Sequence, residues 1–254
     1  MGEPVESQAQ PAMTPQQERL SDTVGGGALQ LYKEFAVGAD CGLLGWIWYE
    51  VLMFFVSSLA GVMGFAVRAL LYPSLFKICG KRPAIGRGVQ VRIPKQISIG
   101  KGILIDDYAV LDVRGRDASI DIEDRVSIGR YTTIAAKNGH IKLQSGVNIG
   151  SYCRVATNSK VEIGSSTLVG AYCYIGPGNH TEGDESTPLI SRPMDIKGGV
   201  TIGEHSWLGA RVTVLDGVKI GKRAIIGAHS LVKDDVPDWG VAVGVPAKVV
   251  KIRS

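Results

Sequence analysis

Four histidines, His140, His180, His205 and His229, carry the side chains that exchange protons near neutral pH and bind metals most readily. They are separated by 40, 25 and 24 residues, so the chain lacks the close histidine pair that a three-histidine metal hydratase needs, and we disfavour that function. His205 and His229 occupy the same position of the six-residue repeat described below and are expected at the surface. His140 is expected in a turn. His180 alone lies in a long insertion that interrupts the repeat, which makes it the main candidate for chemistry.

The repeat is an aliphatic residue at every sixth position, often followed by glycine. The longest run is Ile202, Leu208, Val214, Ile220, Ile226 and Val232, and shorter runs begin at Ile99, Ile122, Leu143 and Ile163. Six residues form one short strand and one turn with the aliphatic side chain inward, and three such units close a triangular coil of about 18 residues. A small residue four positions later is expected inward too, so Cys153 and Cys173 are predicted to be buried free thiols. The six-residue units over 85–232 therefore predict a parallel β-solenoid with an aliphatic core.

One long insertion interrupts the six-residue spacing. The step from Ile175 to Ile202 is 27 residues, 21 more than one repeat. Long insertions at one corner of a solenoid usually carry function, so we predict an active-site loop over 177–199. A carboxylate that orients the second nitrogen of His180 would favour proton transfer. The candidates for that role are Glu182, Asp184, Glu185 and Asp195, and the sequence does not choose among them.

The chain divides into three parts. Residues 1–30 are rich in Pro, Gln and Gly and predict a disordered tail, whereas 31–80 predict a hydrophobic helical segment and 81–254 the solenoid domain. Within 42–67, 19 of 26 residues are apolar. A spanning helix, a re-entrant or interfacial hairpin, and a helix packed on the protein or a neighbouring subunit all fit this stretch; we favour membrane association through 42–79. The basic residues that follow predict a solenoid on the cytoplasmic face of the inner membrane.

Composition excludes several classes of protein. The chain has 254 residues, 33 Gly, 4 Cys and a net charge of +4, which fits neither a disulfide scaffold nor a collagen. Residues 81–254 hold 24 basic and 17 acidic residues. This excess suits an anionic small molecule but is too mixed for a nucleic-acid surface, so no nucleic acid is expected as a partner.

The C-terminal sequence carries specific motifs. Residues 179–253 read NHTEGDESTPLISRPMDIKGGVTIGEHSWLGARVTVLDGVKIGKRAIIGAHSLVKDDVPDWGVAVGVPAKVVKIR. This sequence resembles the hexapeptide-repeat acyltransferases, in the branch of galactoside, maltose and exopolysaccharide O-acetyltransferases. The resemblance implies an all-β, left-handed parallel β-helix preceded by the hydrophobic helical segment. It also implies acetyl-CoA as co-substrate without a metal, and a homotrimer whose sites lie between subunits.

The resemblance also implies roles for particular residues. His180 matches the general base, and Asn179 and Trp207 lie on the acceptor side. The residues that would contact acetyl-CoA are Gly209, Ala210, Gly227, Ala228, Lys233, Pro246 and Lys248. Tyr152 stands where galactoside-type members carry an Asn, which argues against a small galactoside as acceptor.

These features together predict an O-acetyltransferase that acts on a sugar hydroxyl of a polysaccharide precursor or glycolipid. Two alternatives remain open at this point. One is an N-acetyltransferase that acts on an amino sugar, and the other is a catalytically silent, membrane-associated solenoid scaffold.

Overall fold

The computed structural model describes residues 27–81, 83–176, 179–181, 188 and 192–253. Its helices are α1 (Ala28–Val37), α2 (Leu43–Val51), which continues into a π-helical turn (Leu52–Val56), and α3 (Gly61–Leu71), with 3₁₀ turns at Tyr72–Ser74 and Pro94–Gln96. The strands are β1 (Ile78–Cys79), β2 (Ala84–Ile85), β3 (Gln90–Arg92), β4 (Ile97–Ile99), β5 (Leu104–Ile105), β6 (Val110–Arg114), β7 (Ser119–Ile122), β8 (Ser127–Ile128), β9 (Thr133–Lys137), β10 (His140–Leu143), β11 (Asn148–Ile149), β12 (Arg154–Thr157), β13 (Lys160–Ile163), β14 (Leu168–Val169), β15 (Tyr174–Ile175), β16 (Asn179–His180), β17 (Met194–Asp195), β18 (Val200–Ile202), β19 (Trp207–Leu208), β20 (Thr213–Val214), β21 (Lys219–Ile220), β22 (Ile225–Ile226), β23 (Leu231–Val232), β24 (Gly240–Gly244) and β25 (Ala247–Ile252).

The strands form a three-sided prism, as the six-residue period predicts. Sheet A is β1-β4-β7-β10-β13-β18-β21, sheet B is β2-β5-β8-β11-β14-β19-β22-β24-β25, and sheet C is β3-β6-β9-β12-β15-β20-β23. The coil strands pair in parallel, and each turn of the chain adds one strand to each sheet. The result is a left-handed β-helix of about seven turns. The first coil begins at β1, three residues before position 81, where the solenoid domain was expected to start.

Aliphatic side chains in register fill the prism. Ile163, Ile202 and Ile220 are paired in register on sheet A and are almost completely buried. The small positions also point inward, as predicted, and Cys153 and Cys173 are buried free thiols. Hydroxyls at these positions are satisfied by backbone carbonyls, because a buried polar group without a partner is costly. They include Thr132 Oγ1 to Gly150 O at 2.7 Å, Thr167 Oγ1 to Gly203 O at 3.0 Å and Ser206 Oγ to Gly221 O at 2.9 Å.

The helical segment packs on the first coil. Tyr49 donates a hydrogen bond from its hydroxyl to the Val91 carbonyl at 2.9 Å, and the buried Arg68 donates from Nε to the Ile85 carbonyl at 3.0 Å. Arg68 Nη1 also donates to the Leu59 carbonyl at 2.7 Å, at the bend between the two apolar helices. Within the described residues, no helix has both the length and the apolar character needed to cross a bilayer.

The other end of the prism is closed by a β-hairpin. β24 extends sheet B in parallel with β22, and β25 returns antiparallel to it, with Val243 opposite Lys248. The hairpin contains the Gly-Val-Pro-Ala-Lys-Val motif, so this motif lies beside the last coil. Its Pro246 is exposed.

Candidate functional site

The insertion leaves the prism at the corner between sheets C and A. Its base is a two-stranded antiparallel hairpin, in which the Asn179 backbone pairs with Asp195 and the His180 backbone pairs with Met194. The Thr181 N–H adds a hydrogen bond to the Pro193 carbonyl at 3.1 Å. The hairpin therefore fixes the backbone that carries His180. The side chains of Asn179 and His180 lie outside the described residues, as do residues Glu182, Asp184 and Glu185.

The return strand ties this hairpin to the last coils. The Lys197 N–H donates to Asp216 Oδ2 at 2.6 Å, and Lys197 Nζ lies 3.7 Å from Asp195 Oδ2. Asp195, one of the carboxylates considered for orienting His180, is thus engaged in an ion pair. These residues line a cavity of about 320 Å³ together with Leu215, Lys233 and Asp234.

The ammonium groups of two predicted cofactor-binding lysines converge on Asp234, from Lys233 at this corner and from Lys248 on β25 of sheet B. Lys233 Nζ lies 3.0 Å from Asp234 Oδ1, and Lys248 Nζ lies 3.4 Å from Asp234 Oδ2. The hydrogen bond from Lys233 and the charges of both lysines hold the pKa of the Asp234 carboxyl below its usual value. All three groups are exposed, so a phosphate group can reach both ammonium groups.

The predicted backbone contacts lie on another corner, between sheets B and C. The Gly209 N–H donates to the Ile226 carbonyl at 2.8 Å and the Gly227 N–H to the Ala242 carbonyl at 2.9 Å, so neither N–H is available to a ligand. The N–H groups of the exposed Ala210 and Ala228 have no partner among the residues the structure describes. Ala210 and Ala228 therefore each offer a free donor at this corner, one coil apart.

Trp207 lies on the outer surface of sheet B. It is 50 % exposed and stands in register between Leu168 and Ile225. The loop hairpin leaves sheet C at its corner with sheet A, not at its corner with sheet B. One chain therefore places Trp207, Ala210 and Ala228 on a different side of the prism from the loop hairpin and Lys233. Lys248 stands on β25 of sheet B and reaches Asp234 with its side chain.

His205 and His229 are exposed at two different corners, as predicted. His140 was expected in a turn, but it is the first residue of β10, where it pairs in register with Ser119 and Lys160. Its side chain is exposed, with Nδ1 3.1 Å from Ser119 Oγ. Among the residues the structure describes, no group of three or more His, Cys, Asp or Glu side chains is close enough to hold a metal ion.

Sequence reasoning missed a tyrosine stack along the corner between sheets B and C. Tyr108, Tyr131, Tyr152 and Tyr172 stack in order with ring centroids 5.0–5.2 Å apart, and Arg211 covers the last ring at 5.4 Å. The available signal was an aromatic residue directly before the small inward residue in four successive coils. Tyr152, noted as a departure from galactoside-type enzymes, belongs to this stack.

Comparison with protein families supports the interpretation of the repeat. Residues 199–234 match the family model "Bacterial transferase hexapeptide (six repeats)". The chain is 34 % identical over 142 residues to the putative lipopolysaccharide biosynthesis O-acetyl transferase WbbJ of Escherichia coli K12, covering 53 % of this chain and 72 % of the relative. It is 32 % identical over 181 residues to an Escherichia coli dTDP-4-amino-4,6-dideoxy-D-glucose acyltransferase, covering 70 % and 83 %. A probable acetyltransferase of Mycobacterium tuberculosis is 36 % identical over 157 residues, 62 % of this chain, and the match spans half of that protein's length.

Two solved structures share the fold. A variant of the N-acyltransferase AntD from Bacillus cereus, in complex with dTDP and coenzyme A, superposes with a TM-score of 0.51 at 22 % identity, covering 78 % of this chain and 92 % of AntD. The polySia-specific acetyltransferase NeuO superposes with a TM-score of 0.54 at 22 % identity, covering 70 % and 83 %. With these matches in sequence and in fold, the chain belongs to the hexapeptide-repeat, left-handed β-helix family of acyltransferases, among relatives that act as sugar O- and N-acyltransferases.

Proposed function

We propose that this protein transfers an acetyl group from acetyl-CoA to a sugar hydroxyl of a polysaccharide precursor or glycolipid. The observation that carries the proposal is the antiparallel hairpin that holds the His180 backbone beside the cavity lined by Lys233. The O-acetyltransferase relative supports a hydroxyl as the acceptor.

In this proposal His180 is the general base. It takes the proton from the acceptor hydroxyl while the oxygen attacks the thioester carbonyl, and the free N–H of Ala210 stabilises the oxyanion that forms. The carbon–sulfur bond then breaks, and the departing CoA thiolate receives the proton from the His180 imidazolium. The products are an acetyl ester and CoA-SH. No metal takes part in this sequence.

The cofactor would lie along the last coils. Lys233 and Lys248 would bind its phosphates at the corner of Asp234, and the N–H groups of Ala210 and Ala228 would meet the pantetheine arm. AntD was crystallised with coenzyme A, which supports a CoA thioester as donor for this fold.

We place the complete site between subunits of a homotrimer. A single prism separates the hairpin from Trp207 and the free alanine N–H groups, so one chain carries two half-sites on different sides. A neighbouring copy would bring its sheet B surface, with the half-exposed Trp207, to the hairpin of the first. Trp207 would then wall the acceptor site.

We also propose that the α2–α3 segment lies on the cytoplasmic face of the inner membrane. Its outer surface consists of large exposed apolar side chains, including Leu44 (84 %), Val62 (83 %) and Met63 (76 %). The two charged residues within 42–72 face the protein instead. Glu50 accepts hydrogen bonds from Tyr32 and Trp46, and Arg68 is buried. An amphipathic surface of this kind partitions into the lipid interface.

An assay of the purified protein tests the reaction. Incubation with acetyl-CoA and a membrane glycolipid extract should release free CoA thiol and add the mass of one acetyl group to a glycan, in an ester that mild base removes. If the folded protein binds CoA but releases no thiol in response to the acceptor, that result would contradict acyl transfer.

A second candidate is N-acetylation of an amino sugar. The acyltransferase relative named for a dTDP-amino sugar favours it, with 83 % of its length covered. The same assay separates the two, because an amide product survives mild base whereas an ester does not.

A further inference from the structure

Outside the site described above, the outer surface of sheet C carries four cations near the first coils, Arg92, Arg114, Lys137 and Arg154. We call these four residues the sheet C basic patch. The backbone register places Arg114 opposite Lys137 on neighbouring strands, and Arg92 opposite Asp112. Strands are spaced about 4.8 Å apart, so the patch extends about 14 Å from β3 to β12.

The patch holds more positive charge than its surroundings neutralise. Arg114 is paired with Asp112, at 2.8 Å between Nη2 and Oδ2. Arg92, Lys137 and Arg154 have no hydrogen bond or ion pair from their side chains among the described residues. Burial, and then the neighbouring Arg114 and Arg154, lower the pKa of Lys137, as expected for cations held close together.

One end of the patch opens into a cavity of about 370 Å³ between the helices and the first coil. Arg92 and Gln90 form its sheet C side, and the opposite walls are aromatic and aliphatic: Tyr32, Phe35, Ala36, Tyr49 and Met53, with Ser57. Arg114 lies over the Phe35 ring at 5.9 Å, which links the cavity to the patch. The carboxylate of Glu50, beside the helical wall, already accepts hydrogen bonds from Tyr32 and Trp46.

The cavity and the patch together lead from the apolar helices toward the loop. Met53 lines the cavity directly before the exposed Phe54 and Phe55 of the π-helical turn. At the far end, β15 follows β12 on sheet C, and the loop that carries His180 begins after β15. A ligand with an apolar part in the cavity and an anionic group on the patch would point its remaining portion at the loop.

We propose that this surface binds the phosphate group and adjoining hydrocarbon of an amphiphilic, phosphate-bearing acceptor. The inference rests on the proposed acyl transfer and specifies its substrate class. Arg92 contacts the phosphate at the mouth of the cavity, Lys137 and Arg154 contact further anionic groups, and the aromatic wall covers the first carbons of the lipid.

Calorimetric titration of the full chain with farnesyl phosphate, farnesol and inorganic phosphate tests this inference. We expect farnesyl phosphate to bind at least about tenfold more tightly than either of the other two, because it engages both the cations and the aromatic wall. Equal affinity for inorganic phosphate, or for farnesol, would overturn the proposal.

Substitutions locate the binding. Arg92→Gln and Lys137→Gln should each weaken farnesyl phosphate about fivefold or more, since each removes a charge-assisted contact. The melting temperature should stay unchanged, since neither side chain has a hydrogen bond or ion pair to lose among the residues that the structure describes. Arg125→Gln, an exposed cation at the corner between sheets A and B, is the matched control and should bind as the parent does. Unchanged affinity in both patch variants would overturn the assignment.

The outcome is separable from that of the proposed function. Acetyl transfer by a chain that does not bind farnesyl phosphate would overturn this inference alone. Binding of farnesyl phosphate by a chain that transfers no acetyl group would overturn the proposed function alone.

Discussion

At the scale of single residues, Asp234 has the most direct bearing on cofactor binding. It lies within ion-pair distance of both Lys233 and Lys248, the two cations proposed for the CoA phosphates. A carboxylate in this position competes with a phosphate for the same two ammonium groups. Its lowered pKa keeps it ionised through the neutral range, so the competition persists there.

Asp234→Asn should therefore tighten CoA binding about two- to fivefold, because it frees both ammonium groups. Lys233→Gln should shift the affinity in the opposite direction by a similar factor. Titration with CoA measures both changes. Weaker binding in Asp234→Asn would show that the carboxylate positions the lysines rather than competing with the phosphate.

Sequence identified the lysines but not their partner. Lys233 and Lys248 follow from motif resemblance, whereas the link through Asp234 depends on how β25 folds back beside the last coil. The same limit applies to the backbone donors. The motif points to Gly209 and Ala210 together, and only the coil register shows that the Gly209 N–H is already paired with Ile226.

At the scale of elements, the glycine that follows many of the inward aliphatic residues allows the coils to stack. A Cβ at Gly203 would lie 2.5 Å from the backbone nitrogen of Lys222 on the next coil, and no side-chain motion relieves that contact. The six-residue period predicted the short strands and their parallel coils. It did not predict the hairpin of β16 and β17, because Asn179 and His180 pair outside the repeat.

Gly203→Ala should lower the free energy of unfolding by about 1–3 kcal/mol, because the backbone must shift to admit the methyl group. Gly42→Ala is the control, since a Cβ there meets nothing within 4 Å, and it should cost under about 1 kcal/mol. Chemical denaturation measures both. Equal stability of the two variants would contradict close stacking at this corner.

The α2–α3 segment yields a second prediction at this scale. Val62→Asp with Met63→Asp should reduce flotation with anionic lipid vesicles by about tenfold or more, because each substitution removes apolar area from the lipid contact. Both side chains are largely exposed, so the melting temperature should hold. Leu104→Asp, an exposed apolar residue on sheet B, is the matched control. Unchanged flotation would place lipid contact elsewhere.

At the scale of the whole molecule, the prism separates two groups of residues that the proposed reaction needs together. The loop hairpin and Lys233 lie at the corner between sheets C and A, whereas the N–H groups of Ala210 and Ala228 lie between sheets B and C. Sequence resemblance suggested a trimer, and this separation gives a structural reason for one. The tyrosine stack, which no six-residue pattern of aliphatic residues reveals, runs along the same B/C corner as Ala210.

Light scattering on the purified protein should give a mass three times the 27.1 kDa of one chain. Trp207→Glu should shift the protein toward the monomer and reduce activity, since a charge would enter the proposed contact between subunits. Lys219→Glu, outward on sheet A, is the control and should keep the parental mass. A fully active monomer would contradict a shared site.

The central claim is that His180 removes the proton from the acceptor. The most direct test is the rate of CoA thiol release, with saturating acetyl-CoA and glycolipid acceptor, in His180→Ala beside His140→Ala. We predict that His180→Ala lowers kcat by about 10²–10⁴-fold with CoA affinity retained, whereas His140→Ala keeps the parental rate. An unchanged rate in folded His180→Ala would contradict the mechanism.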